Sequence, residues 1–107
     1  MISPFQQKVY DLLKTIPHGR VVTYQSLARA LQCRSPRAVG QALRRNPFAP
    51  DVPCHRVIYA DLTLGGYQGS TAGSRAARKR DLLAKEGVEF SEQGVLVNPE
   101  FLFEFPS

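Results

Sequence analysis

Two Ser-Pro pairs limit most strongly how this chain can fold, because each marks the start of a helix. Ser3-Pro4 and Ser35-Pro36 each combine a side chain that can cap a helix with a proline suited to the first helical position. Apolar residues follow both pairs at helical spacing. The pattern predicts one amphipathic helix over residues 4–16 and a later helix beginning at Ser35-Pro36, with these inward residues: Phe5, Val9, Leu12, Leu13 and Ile16 in the first, Val39, Ala42 and Leu43 in the later one.

A shorter helix is predicted between these two. Thr23 can cap it, and its apolar face comprises Leu27, Ala28 and Leu31. The residue three positions after Thr23 is Ser26, not Glu or Gln, so no capping box supports this start. A tight turn over residues 32–34 then joins two short helices, which is the layout of a helix-turn-helix.

The last of these helices has the composition of a DNA-contacting helix. It carries Arg37, Arg44 and Arg45, while Ala38 and Gly40 leave its surface small. Its backbone could therefore approach DNA closely while the arginines reach phosphates or bases.

The second half of the chain predicts one more helix and a small hairpin. A proline-punctuated loop over residues 46–53 and a Gly-, Ser- and Thr-rich loop over residues 62–73 come first. Ser74 can cap a helix that ends at Gly87, with Ala77, Leu82 and Leu83 inward. Residues 88–90 and 95–97 then flank a four-residue turn, typical of a wing. We expect a mainly α fold with a small β wing, a winged helix-turn-helix-like single domain over residues 1–107.

Composition fits one ordinary globular domain. The chain has 107 residues, of which 43% are hydrophobic and 21% charged, so it is large enough for one core and is not of the disordered class. No apolar run approaches membrane-spanning length, and no secretion signal precedes the first helix. We therefore expect a monomer in the cytosol, or in the nucleus of a eukaryote, with no membrane partner.

The positive charge is concentrated in the first half of the chain. Residues 1–45 contain eight Lys or Arg against Asp11 alone, whereas residues 46–107 contain six against eight acidic residues. This asymmetry favours a polyanion facing the first half. A solvated basic surface without a partner is the alternative.

Neither a disulfide nor a metal is favoured. With no secretion signal, Cys33 and Cys54 are expected to be free thiols. The spacings of these cysteines and the two histidines match no zinc-ligand pattern. We expect no metal and no organic cofactor.

The pair Cys54-His55 is the chain's clearest candidate for chemistry. A thiol is nucleophilic as the thiolate, which a neighbouring base or cation favours. A water could bridge the thiol and the imidazole, and a carboxylate could hold the imidazole in the correct tautomer. Glu86 is one of seven downstream carboxylates, and its spacing does not single it out. From spacing alone, a buried structural Cys54 is the slightly favoured interpretation.

Six short motifs favour a reactive Cys54 over a structural one. In chain order they are Val22–Ala28 (VTYQSLA), Arg37–Leu43 (RAVGQAL), Asn46-Pro47, Pro53–Ile58 (PCHRVI), Gly66-Tyr67 and Leu82–Gly87 (LLAKEG). Together they resemble the C-terminal, DNA-binding and active-site domain of the O6-alkylguanine-DNA alkyltransferases. The resemblance extends over nearly the whole chain, and the Pro-Cys-His-Arg segment is its most specific part.

The resemblance implies repair of alkylated guanine by irreversible transfer of the alkyl group to the protein's own cysteine. Cys54 would be the acceptor thiolate. His55 would take its proton through a bridging water, and Glu86 would orient His55. Asn46 would brace the turn around the active site. The pattern implies one turnover per molecule.

The resemblance also implies residues for DNA and for the base pocket. Tyr24 would help rotate the damaged nucleotide and contact the flipped base, and Arg37 would fill the gap left in the DNA stack. Gly40 and Arg44 would complete the DNA-binding helix. The main-chain carbonyls of Cys54 and Val57 would bind the edge of the guanine base. The pocket would also include Tyr67 and Gln68. Backbone N–H groups of residues 67–69 would be available to stabilise the departing guanine oxygen.

Three features depart from the family pattern. Family members usually carry an additional N-terminal domain, which we expect to be absent here because the first helix begins almost at Met1. The stretch from Tyr67 to Glu86 is longer than is typical, which could admit bulkier alkyl groups. Gln68 stands where a small Ser is common.

Two other functions remain open at this stage. The small body resembles the alkyltransferase-like proteins, which replace the cysteine, bind the same lesions and flag them for excision-repair proteins. A non-catalytic winged-helix transcriptional regulator is the other alternative. Regulators usually carry several polar side chains on the recognition helix, however, and Ala38, Val39, Gly40 and Ala42 are small or apolar. The cysteine favours transfer.

Overall fold

In the part of the chain that the structure describes, the fold consists of four helices, a two-stranded sheet and a small wing. The structure is a computed structural model, and it describes residues 2–48, 51–64 and 73–105. In chain order its elements are α1 (Pro4–Leu13), β1 (Val22–Thr23), α2 (Tyr24–Ala30), α3 (Pro36–Arg44), β2 (Val57–Ile58) and α4 (Gly73–Lys85), with short 3-10 turns at Cys54–Arg56 and Pro99–Phe101. The predicted class, mainly α with a small β component, is confirmed.

The predicted caps begin the first three helices. The Ser3 hydroxyl accepts a hydrogen bond from the Gln6 N–H, and the Gln6 side chain accepts one from the Ser3 N–H, which completes a capping box. The Thr23 hydroxyl accepts from the Ser26 N–H at 3.0 Å. The Ser35 hydroxyl does the same for Ala38 at 3.2 Å. Local side-chain chemistry therefore sets where each helix starts.

The first helix is shorter than predicted. It ends at Leu13, and residues 14–16 continue as a tight turn in which the Ile16 N–H bonds to the Leu13 carbonyl. Proline at position 17 disfavours helical geometry for the residue before it, which explains the early end. Ile16 is nevertheless buried, so its predicted inward position is confirmed.

Helices α2 and α3 pack as the predicted helix-turn-helix, with α1 behind them. Gln32 adopts a left-handed backbone conformation (φ 55°) in the turn between them. The hydroxyl of Tyr10, a buried residue of α1, donates a hydrogen bond of 2.8 Å to the Ala42 carbonyl of α3. This contact holds α3, the candidate DNA-binding helix, against the core.

Two strands too short to predict join the two halves of the chain. β1 and β2 pair in parallel, with Val22 opposite Val57 and Thr23 opposite Ile58. Val21, just before β1, forms a parallel bridge to Leu102 near the C-terminus. The segment that contains Cys54 is therefore anchored to the helix-turn-helix through β2.

The predicted wing is present, but the fourth helix differs from expectation. Antiparallel bridges join Phe90 to Leu96 and Thr63 to Val95. Helix α4 begins at Gly73, so Ser74 lies inside the helix and not at its cap. Ala77, predicted to face inward, is exposed. The face of α4 that packs inward carries Lys79 and Leu83, which are separated by one helical turn.

Within the described ranges, no helix combines the length and the apolar character that crossing a membrane requires.

We expect Tyr10→Phe to lower the free energy of unfolding by about 1 kcal/mol, because it leaves the Ala42 carbonyl without its buried donor. Urea unfolding monitored by circular dichroism measures this difference. The control is Tyr59→Phe, the same chemical change on a side chain that is 42% exposed, with an expected effect within about 0.5 kcal/mol. Equal effects of the two substitutions would contradict the role given to the Tyr10 hydrogen bond.

Candidate active site

Cys54 is buried at the start of a short 3-10 turn. The preceding loop is tied down by Asn46, which is itself buried. The Asn46 side chain donates a hydrogen bond to the Val52 carbonyl and accepts one from the Phe48 N–H, both at 2.9 Å. The Cys54 N–H donates to the same Val52 carbonyl at 2.8 Å. Asn46 thus holds the approach to the thiol, in line with the bracing role predicted for it.

Glu86 is placed by the way α4 ends. The Val88 N–H bonds to the Leu83 carbonyl and the Gly87 N–H to the Ala84 carbonyl, the hydrogen bonds of a Schellman motif. Gly87 supplies the left-handed conformation that this motif requires (φ 87°). Glu86 therefore stands at the helix cap, and its side chain turns toward the Cys54–Arg56 turn.

The Glu86 carboxylate accepts four hydrogen bonds from three residues in two parts of the chain. The donors are His55 Nε2 at 2.7 Å, Arg56 Nε and Nη2 at 2.8 and 3.0 Å, and the Gly19 N–H at 2.9 Å. Burial alone would raise the pKa of Glu86, but the bonds from Arg56, Gly19 and His55 together lower it to about 2. Glu86 is therefore ionised throughout the physiological pH range.

His55 has the protonation pattern of a general base. Burial lowers its pKa and outweighs the opposing effect of Glu86, so the ring is neutral at pH 7. Because Nε2 lies 2.7 Å from the Glu86 carboxylate, the neutral ring carries its proton there. Nδ1 is buried and has no hydrogen-bond partner among the described residues. Its lone pair is thus available to take a proton from a nearby donor.

Arg56 and Gly19 complete this arrangement, and neither was assigned a role from the sequence. Besides its two bonds to Glu86, Arg56 donates to the Ile16 carbonyl at 2.9 Å. Gly19 has φ 85°, and a Cβ there would lie 3.2 Å from the Glu86 carbonyl oxygen. The turn after α1 therefore requires glycine to bring its N–H to the carboxylate.

Lys79 is the buried polar group that sequence reasoning missed. Its side chain is fully buried in α4, and its Nζ donates a hydrogen bond of 2.7 Å to the Val57 carbonyl. Burial lowers the pKa of Lys79 to about 7, and the charge of Cys54 acts in the opposite direction. The available signal was its spacing: Lys79 lies three, four and seven residues before Leu82, Leu83 and Glu86.

Tyr24 is the first residue of α2 and lies half-buried near the thiol. Burial raises its pKa to about 12, and the nearby Tyr59 and Cys54 add to the shift. Tyr24 therefore keeps its hydroxyl proton and can donate a hydrogen bond. The structure brings it into the same neighbourhood as Cys54.

The remaining predicted DNA-binding residues lie on one exposed side of α3. Arg37, Gly40 and Arg44 are spaced by three and four residues, which places them on one helix face. Both arginines are exposed, whereas Val39 and Leu43 are buried on the other side. A Cβ built at Gly40 meets nothing within 4 Å among described atoms, so the surface there is open. The face has room for a close partner.

Two predicted pocket residues, Tyr67 and Gln68, lie outside the described residues, as does most of the loop predicted over residues 62–73. Among the residues that are described, no cluster of three or more His, Cys, Asp or Glu side chains could hold a metal ion.

The comparisons with known proteins decide the family. A family model described as 6-O-methylguanine DNA methyltransferase, DNA binding domain, matches residues 4–88. The chain belongs to this family. The resemblance drawn from the six motifs is thereby confirmed.

Two relatives carry different names. A DNA base-flipping protein of Thermus thermophilus is 52% identical over 68 residues, covering 64% of this chain and 46% of that protein. A methylated-DNA–protein-cysteine methyltransferase of Thermococcus kodakarensis is 46% identical over 89 residues, covering 82% of this chain and 47% of that protein. The chain spans about half the length of the curated relatives it matches.

One similar crystal structure matches over nearly its full length. S. pombe Atl1, in complex with damaged DNA containing O6-carboxymethylguanine, has a TM-score of 0.76 and 34% identity. The match covers 97% of this chain and 98% of that one. The chain therefore shares the fold of Atl1.

We expect Glu86→Gln to lower the free energy of unfolding by about 3 kcal/mol at neutral pH, because it removes the buried charge that Arg56 and His55 face. The pKa of Glu86 falls on folding, so its contribution is present above pH 4.5 and is lost as the pH falls toward 2. The difference between wild type and variant should shrink over that range in denaturant unfolding at several pH values.

Glu89→Gln is the matched control, since Glu89 is an exposed carboxylate three residues away. Its effect should stay within about 0.5 kcal/mol at every pH. A Glu86→Gln difference that did not change with pH would contradict the assignment of the four hydrogen bonds to an ionised carboxylate.

Proposed function

We propose that this domain repairs O6-alkylguanine in double-stranded DNA by transferring the alkyl group to Cys54 after the nucleotide has rotated out of the helix. The Cys54 sulfur attacks the alkyl carbon, the new C–S bond forms, and the bond from that carbon to guanine O6 breaks. The electron pair of the broken bond stays on the guanine oxygen. The thiol proton passes through a water to His55, and the reaction leaves Cys54 alkylated after one turnover.

The observation that carries this proposal is the state of His55. A buried structural histidine is usually satisfied at both ring nitrogens. His55 instead has one nitrogen held by Glu86 and the other buried without a partner among the described residues, one position along a 3-10 turn from a buried thiol. This arrangement suits a base that takes the thiol proton, and a structural Cys54 would not need it.

The surface around the thiol supports access by an extruded base. The target atom lies inside the duplex, so the base must leave the stack at a cost of a few kcal/mol. Arg37 stands exposed near the start of α3, from where its planar head could fill the gap in the stack. Tyr24 retains a hydroxyl proton beside the thiol and can donate to the extruded base.

The main-chain carbonyl of Val57 is also proposed to bind the edge of the guanine base. Lys79 already donates to this oxygen at 2.7 Å. A carbonyl oxygen has two lone pairs, so it can accept a second bond from the exocyclic amine of guanine. Lys79 would then hold the carbonyl in a fixed direction while the base enters.

A non-catalytic sensor of O6-alkylguanine that recruits excision-repair proteins is the second candidate function. The observation that favours it is the nearly complete overlap with Atl1, whose crystal structure contains a damaged guanine. The same α3 face and Tyr24 would serve lesion binding in either case. The two functions differ in whether Cys54 becomes modified.

We expect intact-mass spectrometry to show one added methyl group after incubation with duplex DNA that contains O6-methylguanine. Cys54→Ala should abolish this adduct, because it removes the attacking sulfur. Cys33→Ala is the matched control: Cys33 is the other cysteine of the sequence, its sulfur is hydrogen-bonded to the Ser35 backbone at 3.4 Å, and its removal should leave the adduct intact. Tight binding of the lesion with unchanged mass would favour the sensor over the transferase.

We expect Arg37→Ala to weaken binding to lesion-containing duplex more than binding to undamaged duplex. Arg45→Ala, an equal loss of charge from an exposed residue at the end of the same helix, should mainly lower the slope of log affinity against log salt by about one. Fluorescence anisotropy over a range of salt concentrations measures both quantities. Equal losses of lesion preference in the two variants would count against the role proposed for Arg37.

A further inference from the structure

Tyr59 is an exposed aromatic residue beside the candidate site that has no role in the mechanism above. Its side chain is 42% exposed, although its ring lies against that of Tyr24 with the two centroids 5.5 Å apart and the planes at 39°. A single exposed aromatic side chain is common on protein surfaces. What distinguishes Tyr59 is its contact with Tyr24, a residue of the candidate site.

The parallel register of the small sheet places the two rings together. Thr23 is opposite Ile58 in the ladder, so the next residues along the two strands are Tyr24 and Tyr59. The pairing that anchors the segment containing Cys54 therefore also puts the two tyrosines next to each other.

A compact turn fixes Tyr59 from its other side. The Tyr59 N–H donates to the Thr63 carbonyl at 3.0 Å, and the Leu62 N–H donates to the Tyr59 carbonyl at 2.9 Å. Asp61 accepts bonds from the N–H and the hydroxyl of Thr63, at 3.1 and 2.7 Å. Thr63 in turn bridges to Val95 of the wing. Tyr59 is thus an exposed side chain on a well-supported backbone.

Tyr24 links Tyr59 with the thiol. Its ring lies against that of Tyr59, and both Tyr59 and Cys54 contribute to the rise in the Tyr24 pKa, so the three side chains share one neighbourhood. Cys54 is buried, Tyr24 is half-buried and Tyr59 is exposed. The three side chains therefore lead from the candidate nucleophile toward the solvent. A long substituent on a base held against Cys54 and Tyr24 would extend toward the Tyr59 ring.

We propose that Tyr59 is a specificity-determining residue, the outer aromatic wall that contacts the substituent carried by guanine O6 and favours aromatic substituents over methyl. This inference rests on the proposed function, because it needs an O6-alkylated base in the site. A methyl group has no ring to place against Tyr59, whereas a benzyl ring can stack on or meet the edge of a second aromatic ring. The preference arises from contact with the ring and does not require the Tyr59 hydroxyl.

The test compares single-turnover transfer from duplexes that contain O6-benzylguanine or O6-methylguanine, followed by intact mass. We expect Tyr59→Ala to lower the benzyl-to-methyl rate ratio about fivefold, the effect of losing one aromatic contact. Tyr59→Phe should keep the ratio within about twofold of wild type because the ring remains. Val97→Ala, which trims an exposed apolar side chain elsewhere on the surface, should leave the ratio unchanged.

An unchanged or increased ratio in Tyr59→Ala, or an equal loss in Tyr59→Phe, would overturn the inference. The same variants in a Cys54→Ala background give a second measurement, the ratio of binding constants for the two lesions in duplex DNA. That ratio should fall with Tyr59→Ala even if no transfer occurs. Absence of any adduct in the wild type would therefore overturn the transferase proposal alone, whereas unchanged ratios in both measurements would overturn the role of Tyr59 alone.

Discussion

The buried carboxylate of Glu86 is the interaction on which the candidate site depends. It receives hydrogen bonds from Gly19, His55 and Arg56, and these residues come from the turn after α1 and from the turn that contains Cys54. Glu86 itself caps α4, so one side chain joins three segments that are far apart in sequence. A carboxylate taken out of water needs several donors to stay ionised, and here the donors are supplied by the elements it joins.

The same carboxylate sets the chemistry of His55. An imidazole buried alone could carry its proton on either nitrogen, and only one choice leaves Nδ1 free as an acceptor. Glu86 selects that choice by accepting from Nε2. The burial that lowers the pKa of His55 keeps the ring neutral, and Lys79 contributes in the same direction. When Lys79 is protonated, its ammonium group also favours a thiolate at Cys54, since a cation near a thiol stabilises the charged form.

Local signals in the sequence were sufficient for the starts of the first three helices and insufficient for the contacts between helices. Ser3, Thr23 and Ser35 predicted three helix starts correctly, because capping involves neighbouring residues only. The pairing of β1 with β2 could not be predicted, since two-residue strands have no period to read. Ala77 was wrongly placed inside and Lys79 was overlooked, because hydrophobicity was the guide and the buried face of α4 includes a lysine that bonds to the Val57 carbonyl.

The sequence likewise predicts only part of the candidate site. Cys54 and His55 stand out as adjacent residues, whereas Glu86 is 31 residues from His55 and is one of seven downstream carboxylates with no distinguishing spacing. The family resemblance selected it, and the fold then brought it to 2.7 Å from the ring. The sequence does not indicate that Arg56 and Gly19 contact Glu86: Arg56 is recognisable only as part of the PCHRVI motif, and Gly19 only as part of a turn. Their contribution follows from the long-range geometry that gathers them around one carboxylate.

The most direct test of the central claim is the protonation state of His55 itself, measured by ¹⁵N NMR of the ring nitrogens in the unreacted protein at neutral pH. The account predicts a neutral ring with its proton on Nε2 and an unprotonated Nδ1. A ring protonated on Nδ1, or an imidazolium at neutral pH, would contradict it, because neither form could accept the thiol proton of Cys54 in the arrangement that Glu86 imposes.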